Sequence, residues 1–157
     1  MLVYLVDDRG TRGEYMHFLK AYAQQLPPLD LHVFTHWDAL NKAIQNRVPN
    51  AVILDMRFDE TPLALLVDAK DLAIGAPKSN EDAMKESRVR DNQGVLILRA
   101  LRAEQYKMPV ILFAALAPKQ EERLLDVAAP LYIIEGLILS ELRDTLDKIH
   151  RQALRRL

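Results

Sequence analysis

Leu2-Val3-Tyr4-Leu5-Val6-Asp7-Asp8 and Ala51-Val52-Ile53-Leu54-Asp55 share one pattern, a short apolar run that ends on acid. Runs this short and this apolar read as strands buried on both faces, as in the middle of a parallel sheet. In an open α/β sheet the strand C-termini lie along one edge, and ligands bind there. Asp7, Asp8 and Asp55 are therefore expected to converge on one pocket. Carboxylates held that close repel one another unless a hard divalent cation joins them, and the all-oxygen set suggests Mg2+. The plainer alternative is that each aspartate ends its strand or caps the next helix.

Outward from these two strands the chain alternates short apolar runs with helical periods. Tyr15, Phe18, Leu19 and Tyr22 give a helix from Thr11 to about Gln25 one apolar face, and Pro27-Pro28 stops it. Leu29–Phe34 reads as a second strand. Trp37 to about Asn46 reads as a helix with Leu40, Ala43 and Ile44 inward, capped by Thr35 or Asp38. After Asp55 the rhythm breaks, and about residues 56–90 form an insertion. Its first half, Pro62–Ala76, is apolar enough to pack on something. Its second half, Lys78–Arg90, is charged and suits a short helix near Glu81–Glu86. A structureless loop of that length is uncommon in a compact domain, so a partly ordered cover with Leu63–Val67 packed on the domain is expected. The beat resumes with a helix carrying Val95, Leu96, Leu98 and Leu101, then a strand over Pro109–Phe113. A helix over Pro118–Val127, a strand over Leu131–Ile134 and a last helix over Leu139–Leu154 follow. Five strands and five helices in alternation predict an α/β doubly wound parallel sheet.

Length and composition fit a single domain over residues 1–157. The net charge of −1 offers nucleic acid or an anionic membrane no general attraction, so direct nucleic-acid binding is not expected. Without cysteine there is no disulfide or thiolate chemistry. No apolar run reaches the ~18–20 residues of a membrane span, and MLVYLVDD reads as a strand and not a signal peptide. A cytoplasmic location is the expectation. His17, His32, His36 and His150 lack metal-ligand spacing, and no glycine-rich phosphate loop or nucleophile–base pair is present. The basic residues from Lys148 to Arg156 suit a helix C-terminus, whose dipole favours cations, or contact with an acidic partner.

With these residues in place, the chain resembles a bacterial response-regulator receiver domain, the CheY-like, flavodoxin-like phosphoacceptor module of two-component signalling. The resemblance covers about residues 2–55 and 91–150. It rests on Asp7-Asp8, on Val52-Ile53-Leu54-Asp55-Met56 and on Pro109-Val110-Ile111. It implies a five-stranded sheet in order 2-1-3-4-5, with the long insertion after strand three. It also implies Asp55 as phosphoacceptor, Mg2+ held by Asp7, Asp8, Asp55 and the Arg57 backbone carbonyl, and Tyr132 as the aromatic switch. A metal there would offset the repulsion between a carboxylate and an incoming phosphoryl group, leaving mostly positioning and electrostatics to the protein. Implied partners are a histidine kinase or phosphotransfer protein, an output domain or partner protein, and a second copy. The second copy would meet the face built by the fourth helix, fifth strand and last helix.

Two positions depart from the family pattern. The strand-four hydroxyl position is Ala114, and the strand-five lysine position is Glu135, followed by Gly136. Loss of the hydroxyl removes one hydrogen bond, roughly 0.5–1.5 kcal/mol. The charge inversion is worth more, ~4 kcal/mol for a unit pair at about 4 Å and an effective dielectric of about 20. Arg9, Arg57, Lys70, Lys78, Lys85, Arg88 and Arg90 are candidates to replace the missing cation. The expectation is thus an atypical receiver, not an enzyme. A phosphorylation-independent pseudo-receiver, acting as an interaction or dimerisation module, is the alternative. A metal-dependent phosphohydrolase is disfavoured because Arg57 stands where a second aspartate would be needed.

Overall fold

The computed structural model describes residues 1–69 and 79–156. Five parallel strands, β1 (Leu2–Val6), β2 (Asp30–Phe34), β3 (Ala51–Asp55), β4 (Val110–Phe113) and β5 (Leu131–Ile134), form one sheet in the order β2-β1-β3-β4-β5. This is the expected doubly wound flavodoxin-like architecture. The alternation of the strands divides the core in two. Tyr4, Val6, Val52, Leu54, Val110 and Leu112 face a layer built by α2 (Trp37–Asn46), α4 (Gln93–Ala103) and α5 (Pro118–Val127). Val3, Leu5, Ile53, Ile111 and Phe113 face α1 (Glu14–Ala21) and α6 (Leu139–Arg155). Both faces of the sheet are covered, so the central strands need no polar side, which is why they read as unbroken apolar runs.

The helix ends differ from the sequence reading in two places. The first helix is shorter than expected because Gly10–Arg12 and Ala23–Gln25 form separate 3-10 turns on either side of α1. α2 takes its start from His36, and neither Thr35 nor Asp38 caps it by a side-chain hydrogen bond. Thr35 Oγ1 instead pairs with His36 Nδ1 at 3.0 Å, and Asp38 lies in the first turn, where its charge complements the dipole.

The segment after β3 holds a sixth helix among the described residues, α3 (Asn80–Asp91), longer than the short helix expected near Glu81–Glu86. Its charged sequence has no apolar stripe to announce it. Its support is local: Ser79 Oγ accepts the Asp82 N–H at 3.2 Å, acids fill the first turn, and Glu81–Lys85 and Glu86–Arg90 pair one turn apart. Asn92 ends α3 and begins α4. Ahead of α3, Leu63, Leu66 and Val67 pack on the α2/α4 core as expected, and Phe58 is fully buried there. The Gln93 side chain, 1% exposed, pairs with the Val67 backbone in both directions, accepting at 2.7 Å and donating at 3.3 Å. Arg90 sends Nη1 to the carbonyls of Phe58 (3.0 Å), Asp59 (3.3 Å) and Thr61 (2.9 Å). No described helix is long and apolar enough to cross a membrane.

Candidate functional site

β1 and β3 are neighbours, with Val6 opposite Leu54, so the acids that follow them meet at the C-terminal edge of the sheet. Asp7, Asp8 and Asp55 each offer a carboxylate oxygen, and all three atoms lie within 4.8 Å of one another. They line a cavity of about 360 Å³ with Arg9, Glu14, Tyr15, Arg57 and Asp59. Gly13 lets α1 begin directly against Asp7: a Cβ on it would collide with the Asp7 carboxylate. Gly94 does the same for α4, where a Cβ would strike the Asp55 carbonyl oxygen and the Met56 Cα. The Gly94 N–H donates to the Met56 carbonyl at 2.9 Å, tying α4 to the end of β3.

Each acid has its own environment. Asp7 is 2% exposed and accepts the Arg9 N–H at 3.0 Å. Burial, with the Asp8 charge adding to it, pushes its carboxyl up to about 6 against the opposing pull of that N–H. Asp55 is also raised to about 6, chiefly by burial and then by the Asp7 charge. Its Oδ1 accepts the Tyr15 O–H at 2.9 Å and the Met56 N–H at 2.8 Å, and both bonds pull the value back down. Tyr15 is itself pushed above the ordinary phenol value by burial and by the facing Asp55 charge, so its hydroxyl keeps its proton. Asp8 is bound differently: Oδ2 accepts the N–H groups of Asp59 (2.7 Å) and Glu60 (2.8 Å), the first part of the insertion. A buried and a half-buried carboxyl, both raised by burial and by neighbouring acids in an all-oxygen cluster, fit a hard divalent cation.

The expected departures sit beside this pocket and not inside it. Ala114, buried after β4, and Glu135, exposed after β5, line a separate cavity of about 540 Å³ with Ala115, Leu116, Glu121 and Glu141. An exposed Glu135 is screened by solvent, so its repulsion on the acidic pocket is much weaker than the close-pair figure. Arg57 lines the pocket, but its guanidinium is taken by Asp59 (2.8 Å) and Asp91 (3.4 Å), which hold its pKa above the usual value. Arg9 Nε pairs with Glu60 at 3.8 Å. Lys85 pairs with Glu81, Arg90 is spent on carbonyls and Glu86, and Arg88 is exposed on α3. Lys70 and Lys78 lie outside the described residues. Tyr132 is half-buried against the α1/α6 core, with Lys148 Nζ 5.6 Å from its ring centroid.

Tyr15 is the site residue that the sequence reading missed, having been placed as one member of an apolar helix face. The available signal was its hydroxyl: a buried tyrosine needs a hydrogen-bond partner, and Asp7-Asp8 just ahead of the helix points toward where one lies.

No protein-family model matches the chain, and no curated protein matches it by sequence. Solved structures do match. The receiver domain of the Francisella response regulator 1452 superposes with a TM-score of 0.63 at 14% identity, over 97% of this chain and 98% of that one. The beryllofluoride-activated NtrC receiver domain gives 0.54 at 14% identity over 94% and 92%. A CheY-like response-regulator receiver domain protein from Methanospirillum hungatei gives 0.51 at 14% identity over 96% and 97%. At these identities the likeness carries the fold, and the chain has the receiver-domain fold of response regulators.

Proposed function

We propose that the chain is a signal-transduction receiver of a two-component phosphorelay, with Asp55 as phosphoacceptor. The observation that carries this reading is the cluster of Asp7, Asp8 and Asp55 at the C-terminal edge of β1 and β3 in a receiver fold. Mg2+ would be held by those three carboxylates and the Arg57 backbone carbonyl, and when bound would supply charge neutralisation for an incoming phosphoryl group. The protein's own part is to hold Asp55. Tyr15 and Met56 both donate to Oδ1, which leaves Oδ2 as the nucleophile. Ala114 offers no hydroxyl and Glu135 no cation, so transfer is slow and depends on what the donor itself brings to the site. We read the chain as a signalling module and not an enzyme. Its phosphoryl source would be a histidine kinase or phosphotransfer protein in the cytoplasm, and its readout an output domain, a partner protein or a second copy on the α5-β5-α6 face. Tyr132 takes the switch position on that face.

A second reading, the phosphorylation-independent pseudo-receiver, is favoured by one observation. Asp8 is already held by two N–H groups and Asp55 by two donors, so much of the cluster is satisfied by protein alone. The experiment that separates them is an amide NMR titration with Mg2+ and then Mg2+ plus beryllofluoride, on wild type and Asp55→Asn. Beryllofluoride shifts that need Asp55 are the expected result for a phosphoacceptor. Identical spectra for the two proteins would leave the pseudo-receiver.

A further inference from the structure

We propose that Tyr15 acts as a brake on Asp55: its O–H favours the free carboxylate over the acyl phosphate, weakening phosphoryl uptake and shortening its lifetime. The inference rests on the reading of Asp55 as phosphoacceptor. Tyr15 O–H at 2.9 Å and Met56 N–H at 2.8 Å both donate to Oδ1, so Oδ2 is the oxygen left to react. The hydroxyl is held in place. Tyr15 is 9% exposed, and its ring packs on Phe113 at the end of β4 with centroids 4.9 Å apart. α1 begins at Gly13, close against Asp7, which sets Tyr15 one turn from the acidic cluster.

The chemistry sets the sign. In phosphorylation an Oδ2 lone pair attacks the phosphorus of a donor, either an acyl phosphate or a phosphoramidate. The donor's P–O or P–N bond breaks, and its electron pair leaves with the donor. Asp55 becomes a mixed anhydride, and Oδ1 changes from an ionised carboxylate oxygen to a neutral carbonyl oxygen. In hydrolysis a water oxygen attacks phosphorus, the Oδ2–P bond breaks and its pair returns to the carboxylate. Both water protons end on inorganic phosphate. A hydrogen bond to an ionised acceptor is about twice as strong as one to a neutral acceptor. The Tyr15 O–H therefore loses strength on phosphorylation and regains it on hydrolysis. The difference expected for one such bond is about tenfold in the equilibrium. Tyr15 is a positioning residue by this account, since it touches the acceptor side chain and not the phosphoryl donor.

The test measures beryllofluoride binding in the presence of Mg2+ by 19F NMR, on wild type, Tyr15→Phe and Asp55→Asn, with Mg2+ affinity measured separately. Tyr15→Phe is expected to bind beryllofluoride about tenfold tighter and release it more slowly, with Mg2+ affinity equal to or above that of wild type. A merely structural role for the ring would weaken both together. Equal or weaker binding by Tyr15→Phe, with its amide spectrum intact, overturns the brake and leaves Asp55 as acceptor. An adduct in Tyr15→Phe alone supports the brake more strongly still. No adduct in either protein, or an equal one in Asp55→Asn, overturns both the brake and the phosphoacceptor reading. As a second variant, Tyr15→3-fluorotyrosine supplies a stronger donor in nearly the same shape. It is expected to bind more weakly than wild type, and unchanged or tighter binding overturns the brake.

Discussion

Between pH 3.8 and about 6, Asp7 and Asp55 keep protons that the unfolded chain has released. Both are held at about 6, against 3.8 for the unperturbed group, chiefly by burial, with the Asp8 charge adding to Asp7 and the Asp7 charge adding to Asp55. Between those two values the folded state binds more protons than the unfolded one, so metal-free stability falls as pH rises through that window. A two-unit shift is worth about 2.7 kcal/mol; because Asp7, Asp8 and Asp55 share one cluster and their titrations are not additive, we expect about 2–3 kcal/mol for Asp7 and Asp55 together rather than twice that. Urea unfolding at about pH 4.5 and about pH 7 measures the loss, and Asp55→Asn is expected to recover about half of it. Equal pH slopes for wild type and variant would sink the argument. Mg2+ at 100 times its dissociation constant should restore about 2.7 kcal/mol to wild type at pH 7 and less to the variant. The convergence of Asp7, Asp8 and Asp55 was legible because each ends or follows an apolar strand, and a parallel sheet has one C-terminal edge. The Tyr15–Asp55 bond was not, because it joins residues forty positions apart through a helix orientation that no local pattern encodes.

At the scale of elements, strands and apolar-faced helices were readable, and the insertion was not. α3 draws its stability from a cap, ion pairs and the Arg90 guanidinium, and such devices leave no periodic apolar signal. Arg90, in the last turn of α3, holds three carbonyls of the segment from Phe58 to Thr61, with its side chain 18% exposed. Arg90→Ala strands those carbonyls and is expected to cost about 2–3 kcal/mol, read as a lowered urea midpoint and faster amide exchange at Asp59 and Glu60. Unchanged exchange there would mean that Phe58 and Leu66 alone pin the segment. The α4 start gives a second check. Gly94→Ala places a methyl group against the Asp55 carbonyl, and the rigid backbone on both sides must yield. We expect about 1–3 kcal/mol of destabilisation together with weaker Mg2+ binding, since the displaced backbone carries Asp55, a proposed ligand. Lost stability with Mg2+ affinity intact would show that the strain relaxes toward α4 and away from the site.

Across the whole molecule, the contacts lay out one route from the site that differs from the path implied by resemblance. That path runs from a hydroxyl after strand four to the aromatic switch position in strand five. Here Ala114 has no hydroxyl, Ala114 and Glu135 line a different cavity, and Tyr132 lies beneath Lys148. A second route is continuous: Asp8 Oδ2 to the N–H groups of Asp59 and Glu60, then the carbonyls from Phe58 to Thr61, Arg90 and α3. A cation that draws on Asp8 competes for the same carboxylate charge and so alters the first link in that chain. Coupling needs such a contiguous physical path, and its strength is measurable only by perturbing the middle of it. We therefore expect Mg2+ to shift the amide resonances of Phe58–Thr61 and of Glu86–Arg90 more than those of Tyr132 and its β5 neighbours. Arg90→Ala should abolish the α3 shifts while leaving the shifts at Asp7 and Asp8 in place, because the link is cut beyond the acidic cluster. Shifts at Tyr132 that survive in Arg90→Ala and exceed those in α3 would return the output to the β4–β5 path. The insertion would then be a packed cover with no part in signalling.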